Sequence, residues 1–316
     1  MTWREKNWKT KATTISLIFI GSLILFSSLG RFHWSADVFA TFLDYLLLIF
    51  IVLLGVQIWQ KAWRTVLISL LVLSWGLIDL FTFSAASLYP ETTADFRLMV
   101  FNIYYENSEV DAMYDLIRQH DPDIIYLMEY PSNANPIMRL DLNETYPYQL
   151  IEPSRFTMGT AIYSKHPFDQ AEIHQFAGTR IPITEVTINA DGHLFTFVGG
   201  HPWPPMPPWG QLHREQLEDI IDVAAAVDQA QTPLIVAGDF NTAPQTYMLR
   251  NMSQQANVQQ VRQRFDLTKT YTVTPLISIP LDHIFVSEAI HASDYFYGDP
   301  AGSDHKPIFI DFSIQP

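Results

Sequence analysis

Three long apolar runs occupy residues 13–29, 39–59 and 66–83 of this 316-residue chain, and they decide what its first ninety residues can fold into. In hydrocarbon the backbone must satisfy its own polar groups, so isolated runs of this kind are helices. Crossing a bilayer takes roughly 20 apolar residues, with about 17 as the lower limit. The second and third runs meet that requirement and the first sits at its limit. Ser27-Ser28-Leu29-Gly30-Arg31 is a poor cleavage site, and two further runs follow it, so an anchor fits better than a removable signal peptide. Arg4, Lys6, Lys9 and Lys11 precede the first run, and Lys61 and Arg64 separate the second from the third. The loop 30–38 carries only Arg31, offset by Asp37. The positive-inside rule then places the N-terminus in the cytoplasm. Three crossings make a multi-pass inner-membrane protein whose remaining residues lie outside. Asp44 and Asp79 fall near the outer ends of their spans and read as interfacial. The absence of cysteine agrees with this compartment without requiring it.

Residues 84–95 (SAASLYPETTAD) form a polar connector containing Pro90, and the expected division is an anchor over 1–90 and a second domain over 91–316. The second domain holds 12 Lys or Arg against 29 Asp or Glu, a formal net of −17. Affinity for polyanions rests on basic side chains that release counterions, so this balance opposes tight duplex binding. Buried strands are expected at 96–103, 123–128, 159–164, 183–188, 194–199, 234–237, 284–286 and 308–312. Helical spacing appears over 108–120, through Val110, Met113, Leu116 and Ile117, and over 211–230, through Leu217, Ile220, Ile221, Ala224 and Ala225. Many strands with few regular βα repeats predict a layered α+β domain.

Short polar motifs stand at the ends of these apolar runs or just before one: Phe101-Asn102-Ile103, Met128-Glu129-Tyr130, Gly199-Gly200-His201, Gly238-Asp239-Phe240-Asn241, the segment 281–287 (LDHIFVS) and Gly302-Ser303-Asp304-His305-Lys306-Pro307. They supply acids, amides and histidines and almost nothing basic. Oxygen donors gathered at strand ends suit a hard divalent cation, and such a cation beside His and Asp suits phosphoester hydrolysis. Taken singly, each motif has a plainer reading. Glu129 reads first as a strand-end carboxylate facing water, 238–241 as a turn, and Asp304 and His305 as loop residues. On a strand-like backbone Asp239 and Asn241 would share one face. Asp282 is placed to hold His305 through its second ring nitrogen and favour its charged form.

Together and in this order, the motifs resemble the endonuclease/exonuclease/phosphatase superfamily from about residue 96 to the C-terminus. The resemblance implies a four-layer αββα sandwich, here preceded by three transmembrane helices, with the site at one edge of the paired sheets. It implies Glu129 as principal Mg²⁺ ligand, with Asn102 beside it and Asp304 near the ion, and Mn²⁺ as the alternative metal. Asp239 would orient and deprotonate the attacking water, and Asn241 would contact the scissile phosphate. His305, supported by Asp282, would stabilise the developing charge. His201 resembles the second histidine of the deoxyribonuclease and sphingomyelinase branches, with Glu152 as its one candidate carboxylate partner.

The segment 202–209 (PWPPMPPW) has no Lys or Arg. It suits an apolar ligand or the membrane interface, where Trp is favoured, and equally suits a rigid cover on its own domain. The resulting expectation is a membrane-anchored metal-dependent phosphodiesterase or phosphatase acting on a lipid-like or small phosphoester. The alternatives are a nuclease acting on DNA or RNA and a non-catalytic scaffold at the membrane. A scaffold would have no use for Glu129, Asp239, Asn241, Asp304 and His305.

Overall fold

The computed structural model describes residues 3–81, 85–90, 93–132, 141–154, 157–262 and 268–315. The chain divides into two compact units, Met1–Phe83 with Ala243–Arg250, and Ser84–Thr242 with Asn251–Pro316.

The first unit contains Trp3–Ser27 (α1), Trp34–Thr41 (α2), Leu43–Trp59 (α3) and Trp63–Phe81 (α4). Residues Trp8–Ser27 and Trp63–Phe81 are long and apolar enough to cross a membrane, and α2 with α3 adds a third span only as a pair bent by 63°. The run 39–59 is therefore broken rather than straight. Thr41 Oγ1 donates to the Asp37 carbonyl four residues back at 3.0 Å, a bond that loosens a helical turn. Asp44 in the first turn of α3 favours a fresh helix start. Leu17, Ile24, Leu43, Leu47 and Phe50 form the inner seam. Ile15, Ile18, Phe19, Leu48, Val52, Leu67 and Leu71 face outward. Asp79 accepts from Ser28 Oγ at 3.2 Å and pairs with Arg250 at 2.9 Å. Asp37 accepts from the Tyr247 amide at 2.8 Å. Two acids of the first unit are thus held by the segment 243–250.

The second unit is built from Ala85–Ala86 (β1), Phe96–Asn102 (β2), Val110–His120 (α5), Ile124–Met128 (β3), Tyr148–Glu152 (β4), Thr160–Ser164 (β5), Phe168–Gln175 (β6), Pro182–Ala190 (β7), His193–Gly200 (β8), Gly210–Gln229 (α6) and Leu234–Asp239 (β9). After Tyr247–Gln255 (α7) come Gln259–Val261 (β10), Tyr271–Thr274 (β11), Ile277–Ile279 (β12), Asp282–Val286 (β13), Ile290–Tyr297 (β14) and Ile308–Ile314 (β15). One sheet runs β1-β10-β13-β9-β8-β7-β6 and the other β14-β15-β2-β3-β5-β4, with β11-β12 a separate hairpin.

Alternation along each strand makes the layers. In β2, Phe96, Leu98 and Val100 enter the core between the sheets, where they meet Tyr126, Phe195, Phe197, Ile235, Ile284, Ile310 and Phe312. Met99 and Phe101 point the other way, onto Met113, Leu116 and Ile117 of α5. Helix α6 buries Leu217, Ile220, Ile221 and Ala224, and Ile220 lies against Gly200 of β8. The result is the four-layer αββα arrangement of an α+β sandwich.

Candidate active site

Strand direction brings the motifs to one edge. β2 and β3 are parallel and paired Asn102 to Met128, so Asn102 and Glu129 leave their strands together. β8 and β9 are parallel as well, which puts His201 and Asp239 at matching ends. β13 runs antiparallel to β9 and begins with Asp282 opposite Asp239. β15 runs antiparallel to β2, so the loop before it delivers Asp304 and His305 beside Asn102. Gly238 lies where a Cβ would strike the Gly200 carbonyl, so only glycine permits this approach of β9 to β8.

Asp239 is the hub. His201 Nε2 lies 3.4 Å and His305 Nε2 3.5 Å from its Oδ2, and Asn102 Nδ2 donates to the same oxygen at 3.0 Å. All four side chains are buried. Burial opposes ionisation of Asp239, but the charge of His305 and the bond and charge of His201 outweigh it and hold the carboxyl far below the usual range. His305 Nδ1 donates to Asp282 Oδ2 at 2.8 Å. Burial disfavours the charged ring, yet Asp282 and Asp239 together push its pKa up to about 10. His201 is raised as well, its burial outweighed by the bond to Asp239 and the charges of Asp239 and Glu129. Burial raises Asp282 while the His305 charge works against it, and the short bond is that of a carboxylate accepting from a ring N–H.

Glu129 joins this group through Asn102, whose Nδ2 also donates to Glu129 Oε1 at 3.2 Å, and Oε2 accepts from the Tyr105 amide at 3.0 Å. Asp239, Asp282 and His305 offer ligand atoms within 4.8 Å of one another. As a cation cage those three are poorly matched, because Asp282 and His305 are already bound to each other and a charged imidazole repels an ion. The oxygens of Glu129 and Asn102 beside Asp239 are the hard donors that a small divalent cation takes. Asp304 is exposed, and its charge is felt by Tyr104, Tyr271 and His305.

Asn241 differs from the strand-like expectation. β9 ends at Asp239, and Asn241 adopts φ 50°, so it returns to the site by a left-handed turn closed by its own amide on Asp239 Oδ1 at 3.0 Å. Its Nδ2 donates one hydrogen to the Pro202 carbonyl at 3.0 Å and keeps a second for a ligand oxygen. Tyr104 and Glu129 also hold positive φ, 60° and 59°. Three non-glycine residues in this conformation at one site is the clustering expected where backbone strain is retained for function.

The structure therefore brings Asn102, Glu129, His201, Asp239, Asn241, Asp282 and His305 together and leaves Asp304 at the margin. Among the described residues no hydrogen bond joins Glu152 to His201, and His201 Nδ1 has no partner. His283 next to the site is buried and held neutral, pushed down to about 3 by burial, with Nε2 donating to the Thr242 carbonyl and Nδ1 accepting from Gln260. Two supporting residues had no sequence signal. Thr270 Oγ1 accepts from the amides of Leu281 and Asp282 at 3.0 and 3.2 Å. Tyr271 packs on the His305 ring with centroids 4.7 Å apart.

A paired-sheet sandwich carrying acids, amides and two histidines at one edge defines a class of phosphoester hydrolases. The chain belongs to the Endonuclease/Exonuclease/phosphatase family, whose family model matches residues 99–305. It resembles the human Nocturnin catalytic domain solved with a bound sulfate anion, at TM-score 0.57 and 18% identity over 70% of this chain and 94% of that one. TDP2 of D. rerio, solved with a single-strand DNA product, matches at TM-score 0.57 and 16% identity, covering 69% and 98%. An endonuclease/exonuclease/phosphatase of Beutenbergia cavernae matches at TM-score 0.52 and 18% identity, covering 70% and 72%. No curated protein sequence matches the chain.

Proposed function

We propose that the chain is a membrane-anchored phosphoesterase that uses a divalent cation, Mg²⁺ or Mn²⁺, to attack a phosphoester with water. The observation that carries this reading is the Asp239 carboxylate, buried between two imidazoles and linked through Asn102 to Glu129. Glu129 and Asn102 would hold the ion, with Asp304 adding negative charge nearby; the bound ion supplies Lewis-acid polarisation of the phosphoryl oxygen. Asp239 accepts a hydrogen of the attacking water and aims its lone pair at phosphorus. Because Asp239 is held so acidic, it keeps the water oriented and takes the proton only as the new P–O bond forms, while the ester P–O bond breaks and the alcohol leaves with a proton taken from solvent or from the His305 ring. Asn241 donates its remaining hydrogen to a phosphate oxygen, and the charged ring of His305, with His201 beside it, stabilises the negative charge that develops there. The ester is a lipid-like or small one, in keeping with a formal net of −17 over 91–316. A nuclease is the second reading, favoured by the DNA product in the TDP2 structure.

The test is a panel of phosphomonoesters, phosphodiesters, phospholipids and nucleic acids offered to the purified full chain with Mg²⁺ or Mn²⁺. Turnover of a lipid or small ester supports the proposal, turnover confined to nucleic acid supports the nuclease, and no turnover points to a scaffold.

Asp282 acts only through His305, so their losses overlap. The double variant Asp282→Asn/His305→Ala is expected to match His305→Ala within about threefold, while Asp282→Asn alone loses less. Turnover of the four proteins on one ester checks this, and losses that multiply independently would dissolve the pairing.

Orientation follows from the basic residues flanking the apolar runs. A reporter active only outside the cytoplasm, fused after Phe312, is expected to be active, and activity of a cytoplasmic reporter alone would reverse the topology.

A further inference from the structure

Among the described residues, the second unit exposes seven large apolar side chains: Tyr89, Tyr148, Leu194, Met206, Trp209, Val273 and Leu276. Four of them stand on just two segments, the loop 202–209 and the hairpin β11–β12. Leu276 at the hairpin tip is 90% exposed and Met206 on the loop 62%. Neither 202–212 nor 270–281 contains an Asp, Glu, Lys or Arg, although the domain as a whole is strongly acidic. Exposed apolar side chains on segments without charge mark a contact surface.

Both segments are rooted in the site. The loop is pinned where Pro202 accepts from Asn241, where the Trp203 amide donates to Gln216 Oε1 at 2.7 Å, and where His213 Nδ1 donates to the Trp203 carbonyl at 2.6 Å. Trp203 and Trp209 stack at 5.5 Å and 25°, which stiffens it. The hairpin is pinned where the Thr272 amide donates to the Asp304 carbonyl at 3.1 Å and the Lys306 amide to the Thr270 carbonyl at 2.8 Å, with Tyr271 against His305. One segment thus continues from His201 and the other braces His305, the two rings that meet the same oxygen of Asp239.

We propose that the hairpin β11–β12 and the loop 202–209 are paired apolar lips that enter a lipid bilayer surface and present lipid phosphoesters to the Asp239 site. A bilayer is the occupant these lips fit. Trp and aliphatic tips without charge partition into its interface, and the same chain carries helices apolar enough to reside in a membrane. The inference rests on the phosphoesterase reading for its substrate class, whereas the insertion itself does not.

The chain has no native cysteine, so single cysteines can be labelled in the full-length protein. Leu276→Cys and Leu194→Cys each carry an environment-sensitive dye in proteoliposomes containing lipids brominated on their acyl chains. Leu194 is a like-sized exposed residue at the far end of β8 from His201, roughly 20 Å away along the strand. Quenching of the dye at 276 with little at 194 is expected. An unquenched dye at 276, or equal quenching at both, would overturn the insertion. In the second arm, Val273→Asp and Leu276→Asp are combined. Hydrolysis of headgroups in vesicles of phosphatidylethanolamine, phosphatidylglycerol and phosphatidic acid is compared with hydrolysis of soluble bis(4-nitrophenyl) phosphate. The ratio of the two rates is expected to fall at least tenfold, and an unchanged ratio would overturn the substrate assignment. A chain that inserts at 276 but hydrolyses neither ester would refute the phosphoesterase reading and leave the insertion standing.

Discussion

Asp239→Asn is expected to lower turnover by about 10³-fold or more, a loss of about 4 kcal/mol in transition-state stabilisation. The amide keeps the size of the carboxylate and an oxygen for the Asn241 amide, now at 3.0 Å, so the turn after β9 survives. The charge that receives the water's proton is gone. His201 and His305 also lose their common anion, and each ring becomes easier to deprotonate. Substrate binding should change far less than turnover, because the role assigned to Asp239 lies in the attack. Steady-state kinetics on the ester found by the panel, with thermal unfolding as a control, checks this. A variant within tenfold of the unaltered protein would remove Asp239 from the chemistry.

Glu129→Gln is expected to cost about 10²-fold or more in turnover, with part of the loss recovered at high metal concentration. The substitution is nearly isosteric and retains an oxygen for the Tyr105 amide, but it removes one negative charge facing the Asn102–Asp239 pair. A weakened ion site shows as a raised metal requirement, which a purely structural defect would not produce. Titrating activity against Mg²⁺ separates the two, and an unshifted metal curve would exclude Glu129 as a ligand.

Much of the fold was legible because buried strands and amphipathic helices leave strong patterns. The inner strands, such as β3 and β9, are runs of buried apolar residues, and α5 and α6 repeat theirs at helical spacing. Strands β4, β6 and β11 leave no such pattern, because their side chains are partly or fully exposed. β6 reads Phe-Asp-Gln-Ala-Glu-Ile-His-Gln, an edge strand whose side chains are mostly in water, and it pairs with β7. Pairing of that kind is decided by tertiary neighbours rather than by composition. The bend between α2 and α3 was hidden as well, since hydropathy averages over a break that one Thr–Asp hydrogen bond and a new helix start produce.

At the site, residue types and order carried the identities, but geometry supplied the relations. Sequence alone paired Asp282 with His305, and the 2.8 Å bond between them agrees with that pairing. It did not reveal that both histidines converge on Asp239, because strand adjacency, not chain distance, puts β8 with its His201 beside β9, while the loop before β15 brings His305 in from the other sheet. Of the two readings open for 238–241, the turn rather than the strand-like one fits Asn241, because its left-handed backbone turns it back. Thr270 and Tyr271 lie in a segment of ordinary composition and matter only through what they touch.

The central claim is that water, with a divalent cation bound at this site, attacks phosphorus. The direct measurement is hydrolysis of the identified ester by the full chain in ¹⁸O-enriched water with Mg²⁺, with product masses read for both halves. The expected result is one ¹⁸O in the phosphoryl product and none in the alcohol, abolished by chelator and restored by added Mg²⁺. Label in the alcohol instead, or hydrolysis undiminished in chelator, would contradict it.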